Sequence, residues 1–279
     1  MKKRFVCASV LLAAWMPLAS VAATITTSFT GSGALGSIPL AASVVFSWDS
    51  VVDSLTVTLR NTAGANAGSD VPGSTLTGVF WNLVPNVTLT PQSANVATGS
   101  TVIQGSFCNI PANCAGADLN VGGEFGYQPT SFPNGGDRGI ASSGYLTTGL
   151  PGNIGNFNPG GTAGTDLSSP VSLDGINFGI VTAGDGTFTP NGGLQSVPLI
   201  RDAVVFILTG TGIHSLTAAD FNNVSFQYGT ALSEANVTGC RVGTSGCTSV
   251  TVQVPEPGSL ALMGLALLGL VGVRRHRSH

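Results

Sequence analysis

Lysine is missing from the central part of the chain. Only four of the ten lysines and arginines lie between the two ends, namely Arg60, Arg138, Arg201 and Arg241. Twelve of the thirteen acidic residues lie in the same part of the sequence. The central part, residues 24–253, therefore carries a net charge of −8. Phosphate groups are repelled by such a surface, which excludes nucleic acid and anionic lipid as partners of this part of the chain.

Residues that carry catalysis are also scarce. His214 is the only histidine of the central part, so a Ser/His/Asp nucleophile system would have to use it, and no nucleophile-elbow pattern lies nearby. Glycoside hydrolysis needs only two carboxylates, and Asp49, Asp53 and Glu124 are candidates for such a pair. The sequence predicts that the protein is not an enzyme, with a secreted hydrolase as the least favoured alternative.

Helical periodicity is nearly absent, and apolar residues alternate with hydroxyl residues instead. Residues 55–59 alternate strictly, as in a half-buried strand, and further strands are predicted at 76–83, 87–90, 101–107, 176–181, 203–209 and 250–252. Glycine-rich residues 134–164 are predicted to form long loops. One weak capping box, at residues 217–220, is the only helical signal in the central part of the chain. The fold class predicted is all-β, a β-sandwich-like body.

Four cysteines follow the first 23 residues: Cys108, Cys114, Cys240 and Cys247. In an exported protein they predict two disulfides, and three pairings exist. The local pairing, Cys108–Cys114 with Cys240–Cys247, is favoured because each pair brackets a turn-like segment. Such small loops would each add about 2 kcal/mol of stability in the chain-entropy model. A zinc site is disfavoured because the spacing is wrong and no histidine lies near.

The N-terminus has the pattern of a secretory signal peptide. Basic residues 2–4 precede an apolar run at 5–18, and small residues occupy 19–23. The apolar run is short for a membrane span of about 20 residues. Residues 1–23 are therefore predicted to be removed by signal peptidase, which places residues 24–253 outside the cytoplasm as a β-rich body.

The C-terminus carries a second signal with three parts in order. Pro255-Glu256-Pro257 comes first, an apolar segment at 259–273 follows, and residues 274–279 form a basic end. The apolar segment is predicted to be a single transmembrane helix, short for a bilayer core of about 30 Å. The basic end is expected to stay cytoplasmic by the positive-inside rule.

This tail, residues 254–279, resembles the PEP-CTERM sorting domain of exosortase-dependent surface proteins. The resemblance implies that Pro255, Glu256 and Pro257 are the sorting motif and that the basic cluster stops transfer, namely Arg274, Arg275 and Arg277. It also implies processing by an exosortase in a Gram-negative bacterium that makes extracellular polysaccharide. The chain would be anchored transiently in the inner membrane and then reach the outer surface or the extracellular matrix.

Segments of the body are similar to those of one family of exosortase-dependent surface proteins: residues 122–127, 139–144, 173–180 and 224–234. The resemblance brings no known ligand or activity. Physically, these segments place glycine turns next to aromatic residues that are expected to lie in the core.

Three binding alternatives remain open at the level of sequence. Five aromatic residues could stack on sugar rings, although core positions are favoured for them: Trp48, Trp81, Phe125, Tyr127 and Tyr145. Threonine pairs at 56/58 and 88/90 are reminiscent of an ice-binding face but lack regular repetition. Acidic loops containing Asp166, Asp174 and Asp185 are compatible with a structural calcium ion, yet match no calcium-loop spacing. No other cofactor is expected.

The function predicted from these patterns is that of an exported surface or extracellular-matrix protein, sorted by an exosortase through its tail. A structural role associated with exopolysaccharide or biofilm is favoured. A carbohydrate-binding or ice-binding-like module is the alternative.

Overall fold

The structure is a computed structural model that describes residues 23–64, 71–103, 120–122, 124–129, 131–132, 135–142, 155–157, 176–185, 191–195 and 197–244. Within these residues the chain forms fifteen β-strands, three short 3₁₀ helices and no α-helix. The prediction of an all-β body is confirmed. In the part of the chain described, no helix is both long and apolar enough to cross a membrane. Residues 1–22 and the predicted helix at 259–273 lie outside that part.

The fifteen strands are, in chain order, β1 (Thr24–Leu35), β2 (Ile38–Asp49), β3 (Ser54–Asn61), β4 (Leu76–Leu83), β5 (Thr90–Val96), β6 (Thr101–Ile103), β7 (Gly126–Gln128), β8 (Arg138–Ala141), β9 (Gly155–Asn156), β10 (Ile180–Val181), β11 (Leu199–Arg201), β12 (Ala203–Thr209), β13 (Phe221–Tyr228), β14 (Asn236–Thr238) and β15 (Cys240–Arg241). The three 3₁₀ helices are Pro72–Ser74, Ile213–Ser215 and Ala218–Asp220.

The first sheet has the strand order β15-β1-β2-β3-β12-β5, and all its neighbours are antiparallel. Its longest unit is the β1–β2 hairpin, which is paired from Thr24 opposite Asp49 to Leu35 opposite Ile38. Gly36 has φ 61° in the two-residue turn. A positive φ at the first turn position matches the twist of a tight hairpin, and glycine adopts it without steric cost.

The second sheet has the strand order β6-β11-β10-β4-β8-β7-β9, and β13 also pairs with β4 while β14 pairs with β13. Only β10 and β11 are parallel. Strand β4 is the centre of this sheet because it pairs with β8, β10 and β13.

The core lies where the two sheets face each other. Phe46 on β2 of the first sheet lies 5.3 Å from the ring of Trp81 on β4 and 4.6 Å from that of Phe221 on β13. Trp48 lies 5.1 Å from Phe221. All four rings are buried. Because burial of a large apolar side chain stabilises a fold by about 1.5–3 kcal/mol, these contacts are a main reason why the sheets stay together.

The chain passes directly from the second sheet to the first at Asp202, between β11 and β12. This residue has φ 90°, which is uncommon for a residue with a side chain. Its carboxylate accepts two hydrogen bonds from Arg60 Nη1, at 2.6 Å and 2.8 Å, and one from Ser100 Oγ at 3.2 Å. The side chains of three separate segments thus hold the backbone at this corner.

Three predicted strands are confirmed, since 55–59, 76–83 and 203–209 lie in β3, β4 and β12. The capping box is also confirmed: the Thr217 backbone N–H donates to Asp220 Oδ2 at 2.7 Å at the start of a single 3₁₀ turn. Only the first residues of 101–107 are described, and they form β6. The prediction at 250–252 lies outside the described residues.

Other predictions of local structure are wrong in part. Of 87–90 only Thr90 belongs to a strand, because the Val87 carbonyl accepts a hydrogen bond from the Arg138 side chain instead of a neighbouring strand. In 176–181, only the last two residues are extended, because a turn closes between Gly179 N–H and the Ile176 carbonyl. The glycine-rich region 134–164 contains β8 and β9, whose partners are β4 and β7.

Candidate functional site

Three connections meet at one end of the sandwich. The β2–β3 turn, residues 50–53, lies beside residues 210–216 because Ser54 pairs with Thr209 across β3 and β12. Residues 84–89 join them because Thr90 pairs with Thr209 from the other side. We call this region, residues 50–53, 84–89 and 210–216, the loop end.

Two clefts open at the loop end, on either side of residues 86–88. The first, called the arginine cleft, has a volume of about 660 Å³ and is lined by Leu83, Val84, Asn86, Val87, Thr88, Leu89, Pro129, Ser131, Asp137 and Arg138. The second, called the threonine cleft, has a volume of about 560 Å³ and is lined by Pro85, Asn86, Val87, Thr88, Thr90, Gly210, Thr211, Gly212 and Ser215. Both volumes are within the range of small-ligand sites.

Arg138 fixes the segment that separates the clefts. Its side chain is only 3% exposed at the start of β8, and Nη1 donates to Asp137 Oδ1 at 2.5 Å. Nη2 donates to Asn86 Oδ1 at 2.8 Å and to the Val87 carbonyl at 2.9 Å. The buried charge is therefore paired, as a charge in a protein interior must be. Its three partners make Arg138 a positioning residue for residues 86–87.

Asp53 fixes the other wall of the threonine cleft. Its Oδ1 accepts hydrogen bonds from the backbone N–H groups of Gly212 and His214, both at 3.1 Å, and lies 2.7 Å from His214 Nδ1. The hydrogen bond with the His214 side chain, followed by the backbone bond of His214, lowers the pKa of Asp53. Trp48 Nε1 donates to the Leu216 carbonyl at 3.0 Å and secures the same loop from the core side.

The structure thus brings together the histidine and one of the carboxylates that the sequence singled out. This pair has the geometry of the acid–base half of a Ser/His/Asp system. Within the described residues, His214 Nε2 has no hydrogen-bond partner, and the hydroxyl of neighbouring Ser215 donates to the Gly212 carbonyl at 2.7 Å. The observed role of the pair is to hold residues 210–216 in place.

The lowered pKa of Asp53 has a consequence for stability in acid. A carboxyl group whose pKa is lower in the folded protein than in the unfolded chain, where it is about 3.9, stabilises the fold at pH values above about 3.9. This stabilisation is lost as the pH falls through the pKa of the folded protein. We therefore expect the free-energy difference between the wild type and Asp53→Asn to shrink between about pH 5 and about pH 2. Urea unfolding at several pH values measures it.

Ser215→Ala is the control, because it leaves the Asp53 carboxylate in place and its effect should not change with pH over this range. If Asp53→Asn lowered the free energy of unfolding by the same amount at every pH, the Asp53 carboxylate would not titrate within its contact with His214.

The other candidate carboxylates are placed apart from this pair or outside the described residues. Asp49 Oδ1 accepts the backbone N–H of Val51 at 2.7 Å and so closes the β2–β3 turn. Glu124 and Asp185 are buried. Asp166 and Asp174 lie outside the described residues, within which no group of three or more metal-ligating side chains is found.

The aromatic candidates are in the interior. The exposed fractions of Trp48, Trp81, Phe125 and Tyr127 are 2% or less, and Tyr145 is not among the described residues. Burial raises the pKa of Tyr127 to about 12, which keeps its hydroxyl neutral. The four described rings therefore confirm the core interpretation and offer no stacking surface for sugars.

The remaining sites that were predicted from the sequence are only partly visible. Cys240 is disulfide-bonded, but Cys108, Cys114 and Cys247 lie outside the described residues, so both pairings stay predictions. The sorting motif and the basic cluster at the C-terminus also lie outside. The roles of Arg138 and of the Asp53–His214 contact were not found from the sequence, because contacts between residues far apart in the chain leave no local signal.

Comparison with known proteins identifies only the tail. No curated protein and no solved structure is significantly similar to the chain. A sorting signal of the kind predicted here indicates an exported protein that is directed to the cell surface and processed by an exosortase. Residues 253–277 match the family model of the PEP-CTERM protein-sorting motif, and the chain therefore carries this signal at its C-terminus.

Proposed function

We propose that the protein is a non-enzymatic component of the cell surface or extracellular matrix, associated with extracellular polysaccharide or biofilm. The match of residues 253–277 to the PEP-CTERM motif carries the proposal. In it, the apolar segment holds the chain transiently in the inner membrane, with exosortase as the processing partner and signal peptidase acting at the other end. The body is then released to the outer surface or the matrix.

The body supports a structural role through its rigidity. Three side chains fix its loops and the connection between its sheets through hydrogen bonds within the body. They are Arg138 in the arginine cleft, Asp53 at the loop end and Asp202 between the sheets. A net charge of −8 with no lysine in the body disfavours anionic partners and is compatible with a neutral polysaccharide. We propose no cofactor and no nucleic acid partner.

Changes in the tail test the sorting role. Glu256→Ala removes the charged residue of the motif, and deletion of residues 260–279 removes the apolar segment and the basic end. We expect both to prevent processing, so that the first variant accumulates in the membrane fraction with its tail and the second is lost from the cell surface. Fractionation with intact-mass measurement follows both the location and the cleavage.

Ser278→Ala serves as the control, because it lies beyond the matched residues and should be sorted like the wild type. Wild-type location and mass for both Glu256→Ala and the deletion would reject the sorting role.

A further inference from the structure

We propose that the threonine cleft binds a neutral, hydroxyl-rich ligand, a saccharide unit of an uncharged glycan. The inference rests on the proposed function in one respect, since a protein exposed at the cell surface meets such glycans. It adds the position of the contact and the chemistry of the ligand.

The lining of the cleft is uncharged and rich in hydrogen-bonding groups. Five of the nine lining residues have hydroxyl or amide side chains, namely Asn86, Thr88, Thr90, Thr211 and Ser215. None of the nine is charged, so a metal ion or a polyanion would find no counter-charge there. Hydroxyl groups can both donate and accept, which matches the hydroxyl groups of a sugar.

Arg138 determines which atoms Asn86 offers to a ligand. A guanidinium only donates, so the bond from Arg138 Nη2 fixes Asn86 Oδ1 as the atom that faces the arginine. Within the described part of the chain, neither N–H group of Asn86 Nδ2 has a hydrogen-bond partner, so both are left to a ligand. On the opposite wall, Ser215 Oγ donates to the Gly212 carbonyl and keeps its lone pairs as acceptors. The cleft thus presents fixed donors on one side and a fixed acceptor on the other.

Both walls of the threonine cleft are fixed by hydrogen bonds from residues that do not line it. Arg138 binds the Val87 carbonyl beneath one wall, and Asp53 binds the backbone of Gly212 and His214 beneath the other. Trp48 adds the bond to the Leu216 carbonyl. A wall that is already ordered loses little conformational entropy when a ligand binds, which favours a weak polar ligand.

Among the residues that the structure describes, no aromatic side chain lines the cleft. The ligand is therefore held by hydrogen bonds without ring stacking, and we expect a dissociation constant on the order of 1 mM for a short oligosaccharide. Multiple saccharide units and many protein copies in a matrix would strengthen such a contact through multivalency.

The test uses the exported, processed protein labelled with ¹⁵N. It is titrated with neutral tetrasaccharides of a glucan, a mannan and a galactan, and with tetragalacturonate as the charged counterpart. We expect one of the neutral probes to shift the indole N–H signal of Trp48, which bonds the cleft loop, and to leave that of Trp81 in place. Asn86→Asp should weaken this binding about tenfold, because the carboxylate still accepts from Arg138 but offers no N–H donors.

Thr26→Val is the matched control, since it removes an exposed hydroxyl on β1 and should bind like the wild type. The proposal is overturned if none of the neutral probes shifts the Trp48 signal, if tetragalacturonate alone does so, or if Asn86→Asp binds as tightly as the wild type. Sorting is measured separately in the tail variants, so a failure here does not depend on the outcome there.

Discussion

Replacing Phe46 with alanine is expected to lower the free energy of unfolding by about 3–5 kcal/mol. The ring lies between the two sheets, stacked at 4.6 Å on Phe221 and tilted at 5.3 Å from Trp81, and a third ring, Phe29, meets its edge at 6.1 Å. Removing it leaves a cavity that rigid strands on both sides cannot close. Urea denaturation followed by circular dichroism measures the loss.

Val51→Ala is the control for this prediction, because the side chain is 64% exposed at the β2–β3 turn and its truncation should change the stability by less than about 0.5 kcal/mol. Phe46→Leu should fall between the two, since it fills part of the space. Equal stability of Phe46→Ala and Val51→Ala would contradict the assignment of Phe46 to the contact between the sheets.

Strands could be predicted where the sequence alternates cleanly, as in β3, or is largely apolar, as in β4, whereas the β1–β2 hairpin could not. In β3, Leu55, Val57 and Leu59 are buried and the residues between them are half-buried, which is the pattern that the sequence shows. In β2, five residues in a row from Ala42 to Phe46 are buried, so the period of two disappears. The β1–β2 hairpin was missed for that reason, although the glycine of its turn is visible.

The sorting tail could be identified from sequence because its three parts are contiguous, and the family match confirms it. The clefts could not, because their walls come from distant segments. Asp53 and His214 are 161 positions apart, and Arg138 reaches Asn86 across 52 positions. An arginine that leads a short strand looks like any surface arginine until the register of β4 and β8 places it beside Trp81.

The sheet corner at Asp202 supplies the second large expected effect. Asp202→Ala should destabilise the fold by about 2–3 kcal/mol, because the hydrogen bonds from Arg60 and Ser100 to a charged acceptor are lost together. The backbone remains at φ 90°, which alanine tolerates poorly. Thermal and urea unfolding of the exported protein measure the change.

Two further substitutions separate the carboxylate from the backbone as the source of this effect. Asp202→Gly loses the same hydrogen bonds but adopts a positive φ without strain, so it should be about 1 kcal/mol more stable than Asp202→Ala. Asp202→Asn keeps an acceptor for Arg60 and tolerates a positive φ, and should be the most stable of the three. If glycine and alanine were equally destabilising, the strained backbone would contribute nothing. If asparagine were as damaging as alanine, the charge of the carboxylate would be what holds the two sheets at this corner.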